Sequence, residues 1–139
     1  MHTDGAAARP LWQLTHRPAD QRDQIAARLE DAGVTPQQLR AALADGGDAL
    51  YAASRDGGSS EAFGGDLAVA LLAAEVSALA AHLNSRASAV RARAVDALLD
   101  DYSAVAVASA LGVSRQKVYD ISKGGPTAAF LDISPWGQL

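Results

Sequence analysis

Residues 104–123, AVAVASALGVSRQKVYDISK, decide how the C-terminal part of this chain folds. Small and apolar residues recur at helical spacing in the first half, which predicts a short helix. Gly112 ends that helix, because glycine reaches positive φ without a steric cost. Ser114 is then the predicted N-cap of a second helix. The residues predicted to face inward are Val107, Ala108 and Leu111, then Val113 in the turn, and Val118 and Ile121 on the second helix.

This pattern resembles the helix-turn-helix superfamily of bacterial and phage DNA-binding proteins, in particular its compact versions with Leu-Gly-Val-Ser-Arg-Gln before an apolar position. The matching residues are Ala108, residues 111–116, Val118 and Ile121. In that family the small residue lets two helices approach and the glycine forms the turn, and Ala108 and Gly112 match these roles. The resemblance covers about twenty residues strongly, and about forty with the preceding helix.

The resemblance implies a sequence-specific double-stranded DNA-binding protein, most often a transcriptional regulator, that places its second helix in the major groove. A phage or plasmid accessory factor for recombination, replication or partition is the alternative from the same class. A helical protein–protein interaction module is the alternative from another class, because alanine-rich hairpins with a glycine turn also occur in bundles that bind no nucleic acid.

The outer face of the second helix is polar and mostly cationic, so we expect it to contact DNA. Arginine can pair with guanine, and glutamine with adenine, through two hydrogen bonds each. The predicted base-reading residues are Arg115, Gln116 and Tyr119, and the predicted backbone contacts are Ser114, Lys117 and Lys123, with Arg86, Arg91 and Arg93 from the preceding helix. Those three arginines could equally form a solvated face. Asp120 is expected to pair with Lys117 or Lys123.

Composition predicts an all-α protein. The 139 residues suit one domain or a small domain with an appendage, and 49% of them are hydrophobic while only 5% are aromatic. We expect an N-terminal helical hairpin, a long apolar central helix and a C-terminal tri-helical unit with an apolar tail. The predicted segments are an acidic helical region with a Gly/Ser-rich linker (residues 1–65), an association helix (66–83), the DNA-binding domain (84–125) and the tail (126–139).

Charge is distributed unevenly along the chain. The formal net charge is −4, yet residues 84–125 carry six Lys and Arg against four acids, whereas residues 1–83 carry six against eleven. The basic balance coincides with the predicted DNA-binding segment. Because so small a balance neutralises few phosphates, one copy should bind weakly, and we expect a homodimer.

Residues 67–83 contain a short heptad seam, formed by Val69, Leu72, Val76, Leu79 and Leu83. We expect this seam to be the dimer interface. It spans about two heptads, fewer than a long coiled coil needs, so a core helix that shields the N-terminal hairpin is the alternative. Its length and its polar residues Glu75, Ser77 and His82 argue against a membrane span.

The next predicted helix begins at Ser85 or Ser88 and ends near Asp100. We expect Val90, Ala94, Ala97 and Leu98 to face inward.

The N-terminal region reads as a helical hairpin: a helix over residues 20–32, a turn at Gly33, and a second helix capped at Thr35-Pro36. It resembles a second helix-turn-helix only in its turn. Bulky Leu29 and charged Arg28 oppose close helix packing, so we predict a structural hairpin. Residues 1–10 are expected to be a flexible lead, and Leu11, Trp12 and Leu14 a small apolar patch.

No catalytic, metal or cofactor motif is present. Cysteine is absent, and His2, His16 and His82 are far apart in sequence, with no carboxylate at metal-site spacing. We therefore expect a non-enzyme without cofactor or metal, in the cytoplasm because the N-terminus lacks a secretory signal, with His82 at a helix surface or interface.

The tail is unusually apolar, with Phe130, Leu131, Ile133, Trp136 and Leu139 close together. We expect it to dock on its own chain or on a second subunit. The alternative is a short motif for another protein, a role that the N-terminal region could also have.

Overall fold

The computed structural model describes residues 12–55, 60–124 and 129–135, and within them the protein is all-α. The predictions for residues 1–11, for linker residues 56–59 and for Trp136 and Leu139 lie outside this range, as does the side chain of Phe130. The α-helices are α1 (Arg22–Asp31), α2 (Pro36–Ala44), α3 (Asp48–Arg55), α4 (Asp66–Asp101), α5 (Ala104–Leu111) and α6 (Arg115–Lys123), with 3₁₀ turns at Ala19–Gln21, Ser60–Phe63 and Ala129–Asp132.

The N-terminal region forms two helices, α1 and α2, on either side of the turn at Gly33. Gly33 takes φ +80° after α1, a conformation that glycine adopts without strain. Thr35 Oγ1 accepts a hydrogen bond from the Gln38 amide at 3.1 Å, and Gln38 Oε1 accepts one from the Thr35 amide at 2.9 Å. This reciprocal capping box fixes the start of α2.

The hairpin packs against the N-terminal half of α4 to form the N-terminal core. Leu29, Leu39 and Leu72 are each 1% exposed there. Trp12 and Leu14, predicted as an apolar patch, are buried in the same core.

The residues predicted to form the dimer interface pack inside their own chain. Leu72 and Leu79 are buried in the N-terminal core, and Val69, Val76 and Leu83 pack against it. The dimer-interface assignment of Val69, Leu72, Val76, Leu79 and Leu83 is therefore corrected: these side chains cover the hairpin. The reason is that the alanine-rich hairpin supplies little volume of its own and needs the leucines of α4 as cover.

Helix α4 is a single helix of 36 residues, about 54 Å long at 1.5 Å per residue. The predicted new start at Ser85 or Ser88 is wrong, because residues 67–101 contain neither glycine nor proline and are rich in alanine, the best helix former. Gly65 is the N-cap residue of α4, and Asp66 is the first residue of the helix.

The C-terminal core lies on a different face of α4 from the N-terminal core. Val95 and Leu99 pack there with residues of α5 and α6, and Ala92 is buried on the same face. At about 100° per residue, this face is roughly opposite the one that carries Leu72 and Leu79.

The residues predicted to face inward from residues 85–100 lie on an exposed face of the helix. Val90 is 60% exposed and Leu98 38% exposed, and Ala94 and Ala97 are exposed as well. Alanines lie on both sides of the helix here, so the sequence pattern did not distinguish the buried face from the free one.

A buried polar cluster joins the start of the described chain to α4. His16 Nε2 donates to Glu75 Oε1 at 2.9 Å, and Arg17 Nη2 donates to Glu75 Oε2 at 2.7 Å. His82 Nδ1 lies 3.4 Å from the carbonyl oxygen of His16, to which it donates. His16, Glu75 and His82 are each 2–3% exposed. The predicted surface or interface position of His82 is therefore wrong.

Both titratable groups of α4 in this cluster have lowered pKa values. Burial would raise the pKa of Glu75, but hydrogen bonds from His16 and Arg17 outweigh burial and lower it below its ordinary value. Burial lowers the pKa of His82, against the opposite effect of backbone hydrogen bonds with His16 and Ile133. The cluster thus favours an ionised Glu75 and a neutral His82.

The described part of the tail, residues 129–135, docks on its own chain. Thr15 Oγ1 donates to the carbonyl oxygen of Pro135 at 3.2 Å. Leu131 is 9% exposed, whereas Ile133 is 48% exposed. Of the two docking modes expected from the sequence, these residues use the intramolecular one.

Helix α4 also passes a length and composition test for a membrane span. Its most apolar 18-residue window has a mean hydropathy of 1.6, and 28% of that window is buried. The core helix of a soluble protein passes the same test.

Candidate nucleic-acid interface

The turn between α5 and α6 has the predicted geometry. Gly112 adopts the left-handed conformation at φ +70° and ψ +34°. The amide of Val113 donates back to the carbonyl oxygen of Ala108 at 3.0 Å, which closes the end of α5. The predicted helix end at Gly112 is confirmed.

Serine side chains cap both helices of this pair. Ser103 Oγ accepts from the Ala106 amide at 3.1 Å, and Ser114 Oγ accepts from the Lys117 amide at 3.0 Å. Each bond satisfies an amide that a helix N-terminus leaves unpaired. The cap at Ser114 was predicted, and it fixes where α6 begins.

Helix α6 is held by two apolar side chains. Val118 is 0% exposed and Ile121 is 7% exposed, and both pack with Val95, Val107 and Ala108. These inward positions agree with the sequence. Leu111 does not, since it is 44% exposed. The chain reverses at the following residue, and the preceding turn of α5 makes the contact with α6 instead.

The opposite face of α6 is solvent-exposed and polar. The exposed residues include every position predicted to contact DNA from this helix and its cap: Ser114, Arg115, Gln116, Lys117, Tyr119 and Lys123. Tyr119 is 42% exposed. The structure therefore brings these six residues to one short, accessible element.

Asp120 has a different partner from the predicted one. Gln116 Nε2 donates to Asp120 Oδ1 at 3.1 Å, one helical turn away. No lysine of the described chain forms an ion pair with Asp120, so the predicted pairing with Lys117 or Lys123 is wrong. The two side chains are neighbours at i and i+4, a spacing at which a short acid reaches a glutamine amide easily.

The electrostatics of α6 favour an anion at its N-terminal end. Arg115 and Lys117 lie in the first turn and Lys123 in the last, against the single acid Asp120. The helix macrodipole adds about half a positive charge at the same end. Phosphate and base acceptor atoms are the groups that such an end attracts.

Two of the three arginines of the preceding segment lie apart from this face. Arg86, Arg91 and Arg93 are on the middle of α4, with Arg86 half-buried and the other two exposed. By helical position, Arg86 and Arg93 are on the side of α4 opposite Val95, which packs against α6. The structure does not place these two beside the exposed face of α6.

Sequence reasoning missed the cluster of His16, Arg17, Glu75 and His82. The residues that form it are 58 to 66 positions apart, so no local spacing signals it. A glutamate and a histidine inside the mostly apolar stretch 67–83 were the visible sign in the sequence. No group of three His, Cys, Asp or Glu residues within the described ranges could hold a metal ion.

No protein-family model, curated protein or solved structure matches this chain.

Proposed function

We propose that this protein is a sequence-specific double-stranded DNA-binding protein of the helix-turn-helix type, and that it acts as a transcriptional regulator. The observation that carries the proposal is the geometry of α5 and α6. The two helices are joined by a glycine turn and capped by serines, and the outer face of α6 is exposed. Buried Val118 and Ile121 hold one side of α6, while Arg115 and Gln116 remain exposed on the other.

In this proposal α6 enters the major groove with its N-terminal end first. Arg115 and Gln116 lie in the first turn of the helix, and Tyr119 follows on the exposed side. Arginine reads guanine and glutamine reads adenine through two hydrogen bonds each, with about 1–3 kcal/mol of discrimination per pair. Tyr119 contacts a phosphate or a thymine methyl group.

Asp120 tunes the same surface. Its hydrogen bond with Gln116 orients the amide, leaving the carbonyl oxygen and one N–H of that side chain for a base. Ser114, Lys117 and Lys123 contact the DNA backbone. Two contacts of charged side chains per copy give weak binding at physiological salt, which supports the action of two copies on one site.

Selection of bound duplexes from a random pool, followed by titration of variants, tests the proposal. We expect Arg115→Ala and Gln116→Ala each to relax selectivity at one base position, by about 1–3 kcal/mol, with the fold unchanged by circular dichroism. Arg40→Ala, at an exposed position on α2, is the matched control and should leave selectivity intact. Unchanged selectivity in both α6 variants would show that this face does not read DNA.

A further inference from the structure

One face of α4 is left uncovered. The N-terminal half of the helix presents Leu72 and Leu79 to the N-terminal core, and that core extends along the helix as far as Leu83. The C-terminal half presents its roughly opposite face, with Val95, to the C-terminal core. Nothing in the described ranges covers the other side of that C-terminal half.

This uncovered side carries an apolar stripe. Val90, Ala94 and Leu98 are spaced at i, i+4 and i+8, so they lie in one row along the helix. Val90 is 60% exposed, Leu98 is 38% exposed, and Ala94 is exposed between them. Single exposed apolar residues are common on soluble proteins, but a continuous row on one helix is a typical contact surface.

The charged residues that flank the stripe differ in sign at its two ends. At about 100° per residue, Arg86 and Arg91 flank the stripe before its centre, and Asp101 lies beside it after the centre. Arg93 and Asp100 lie toward the side of the helix, and Asp96 is nearly opposite Ala94. None of the six forms an ion pair within the described part of the chain. The acids occupy the C-terminal end of α4, where the helix macrodipole disfavours negative charge. The segment therefore has a positive half and a negative half, neither of them neutralised from within.

We propose that a second copy of this chain packs antiparallel on this stripe, with the two-fold axis close to Ala94. A two-fold rotation there brings Val90 of one copy against Leu98 of the other, because each is four residues from Ala94. The same rotation brings Arg86 of one copy beside Asp101 of the other, because Arg86 is eight residues before Ala94 and Asp101 is seven after it. A two-fold interface must be complementary to itself, and this pair of opposite charges meets that requirement on both sides of the axis.

Charge disfavours the parallel orientation. Parallel pairing would place Arg86 and Arg91 against the same arginines of the second copy, and Asp101 against Asp101. Alanine at the axis permits close approach of the two helices, at the short end of the usual 8–10 Å between helix axes.

The size of the stripe indicates a weak dimer. A helix pair over residues 86–101 is about 24 Å long, and a stable interface buries about 800 Å² on each partner. We expect dissociation in the micromolar range and weakening by salt. Arg86 is engaged by the second copy in this dimer and not by phosphate.

Charge reversal tests the proposal. The acidic variant carries R86D and R91D, and the basic variant carries D100R and D101R. In sedimentation equilibrium from about 1 μM to about 300 μM, we expect the wild-type chain to dimerise. Each variant alone should dimerise about tenfold more weakly or worse, while an equimolar mixture should form a one-to-one heterodimer. A wild-type chain that stays monomeric throughout, or a mixture that does not associate, overturns the proposal.

A cysteine cross-link tests the same interface without depending on the folding of the charge-reversal variants. The chain has no cysteine, so a cysteine introduced at Ala94 can form a disulfide only with the same cysteine of a second chain. Mild oxidation should convert Ala94→Cys to a covalent dimer, since residues on a two-fold axis lie within disulfide range. Ala80→Cys, exposed on the same helix but about 21 Å away, is the control and should not cross-link. Equal cross-linking of both variants contradicts the assigned axis.

The interface and the DNA-binding proposal fail separately. The interface depends only on α4, so a dimer that binds no duplex overturns the proposed function and leaves the interface standing. A chain that binds duplex DNA selectively but never dimerises, free or bound, overturns the interface alone.

Discussion

Gly112 is the residue on which the position of α6 depends most directly. Its φ of +70° is left-handed, and a Cβ added there would meet no atom within 4 Å. The requirement for glycine is therefore one of backbone conformation and not of space. Residues with a Cβ resist this conformation by about 1–2 kcal/mol.

We expect Gly112→Ala to lower the free energy of unfolding by about 1–2 kcal/mol, measured by urea denaturation. Gly112→Asn should cost less, because asparagine visits the left-handed region more readily than alanine. Equal losses in the two variants, or no loss in either, would contradict a conformational role for this glycine.

His82 links stability to pH. Its pKa is lowered by burial, so as the pH falls through about 6.5 the unfolded chain binds a proton that the native chain does not. The stability that neutral His82 contributes is fully present above that pH and is lost below it.

We expect His82→Gln to make the fall in unfolding free energy between about pH 7 and about pH 5 shallower than in the wild-type chain. Denaturant melts at several pH values in this interval measure the slope. Titratable groups common to both chains contribute to both slopes, so parallel curves would show that His82 is not desolvated in the native protein.

Among the elements, α6 is the one whose start is set by a single side chain. Replacing Ser114 with alanine removes the bond to the Lys117 amide, and we expect a loss of about 1 kcal/mol in unfolding free energy. Ser109→Ala, at an exposed position inside α5, should change it by less than about 0.5 kcal/mol. A matching effect of the two substitutions would mean that the cap does not stabilise α6.

Local signals in the sequence were sufficient for the turns and caps. Gly33, Thr35, Gly112 and Ser114 act through their own backbone or through an amide three residues away, so their roles can be predicted from short windows. The buried face of α6 was predicted for the same reason, because Val118 and Ile121 are the aliphatic residues of that helix.

The path of α4 could not be predicted in the same way. Whether Leu72 and Leu79 face a partner or the hairpin depends on how distant segments pack. The buried face of α4 changes from one side of the helix to the other before Val95, and this change depends on where α5 and α6 dock. Alanines on every side of the helix hide that change. The contact of Glu75 with His16 is nonlocal as well.

At the scale of the whole molecule, one long helix carries two small cores on roughly opposite faces. The described tail returns to the first core through Pro135 and Thr15. The acidic residues are concentrated in the N-terminal part of the chain, and the basic balance lies over the C-terminal part. In the proposed function, this charge asymmetry favours an approach to DNA with α6 leading and the N-terminal core turned away.

The most direct test of the central claim is the salt dependence of duplex binding by the full chain, measured by fluorescence anisotropy on a selected site. Lys117 and Lys123 contact phosphates in the proposed complex. We therefore predict that the logarithm of the association constant falls linearly with the logarithm of the salt concentration, with a slope of about −2 for one bound copy and about −4 for two. Lys117→Ala should reduce the slope by about 1 per copy. Absence of binding at low salt, or a slope that the substitution leaves unchanged, would contradict the assignment of α6 as a DNA-binding helix.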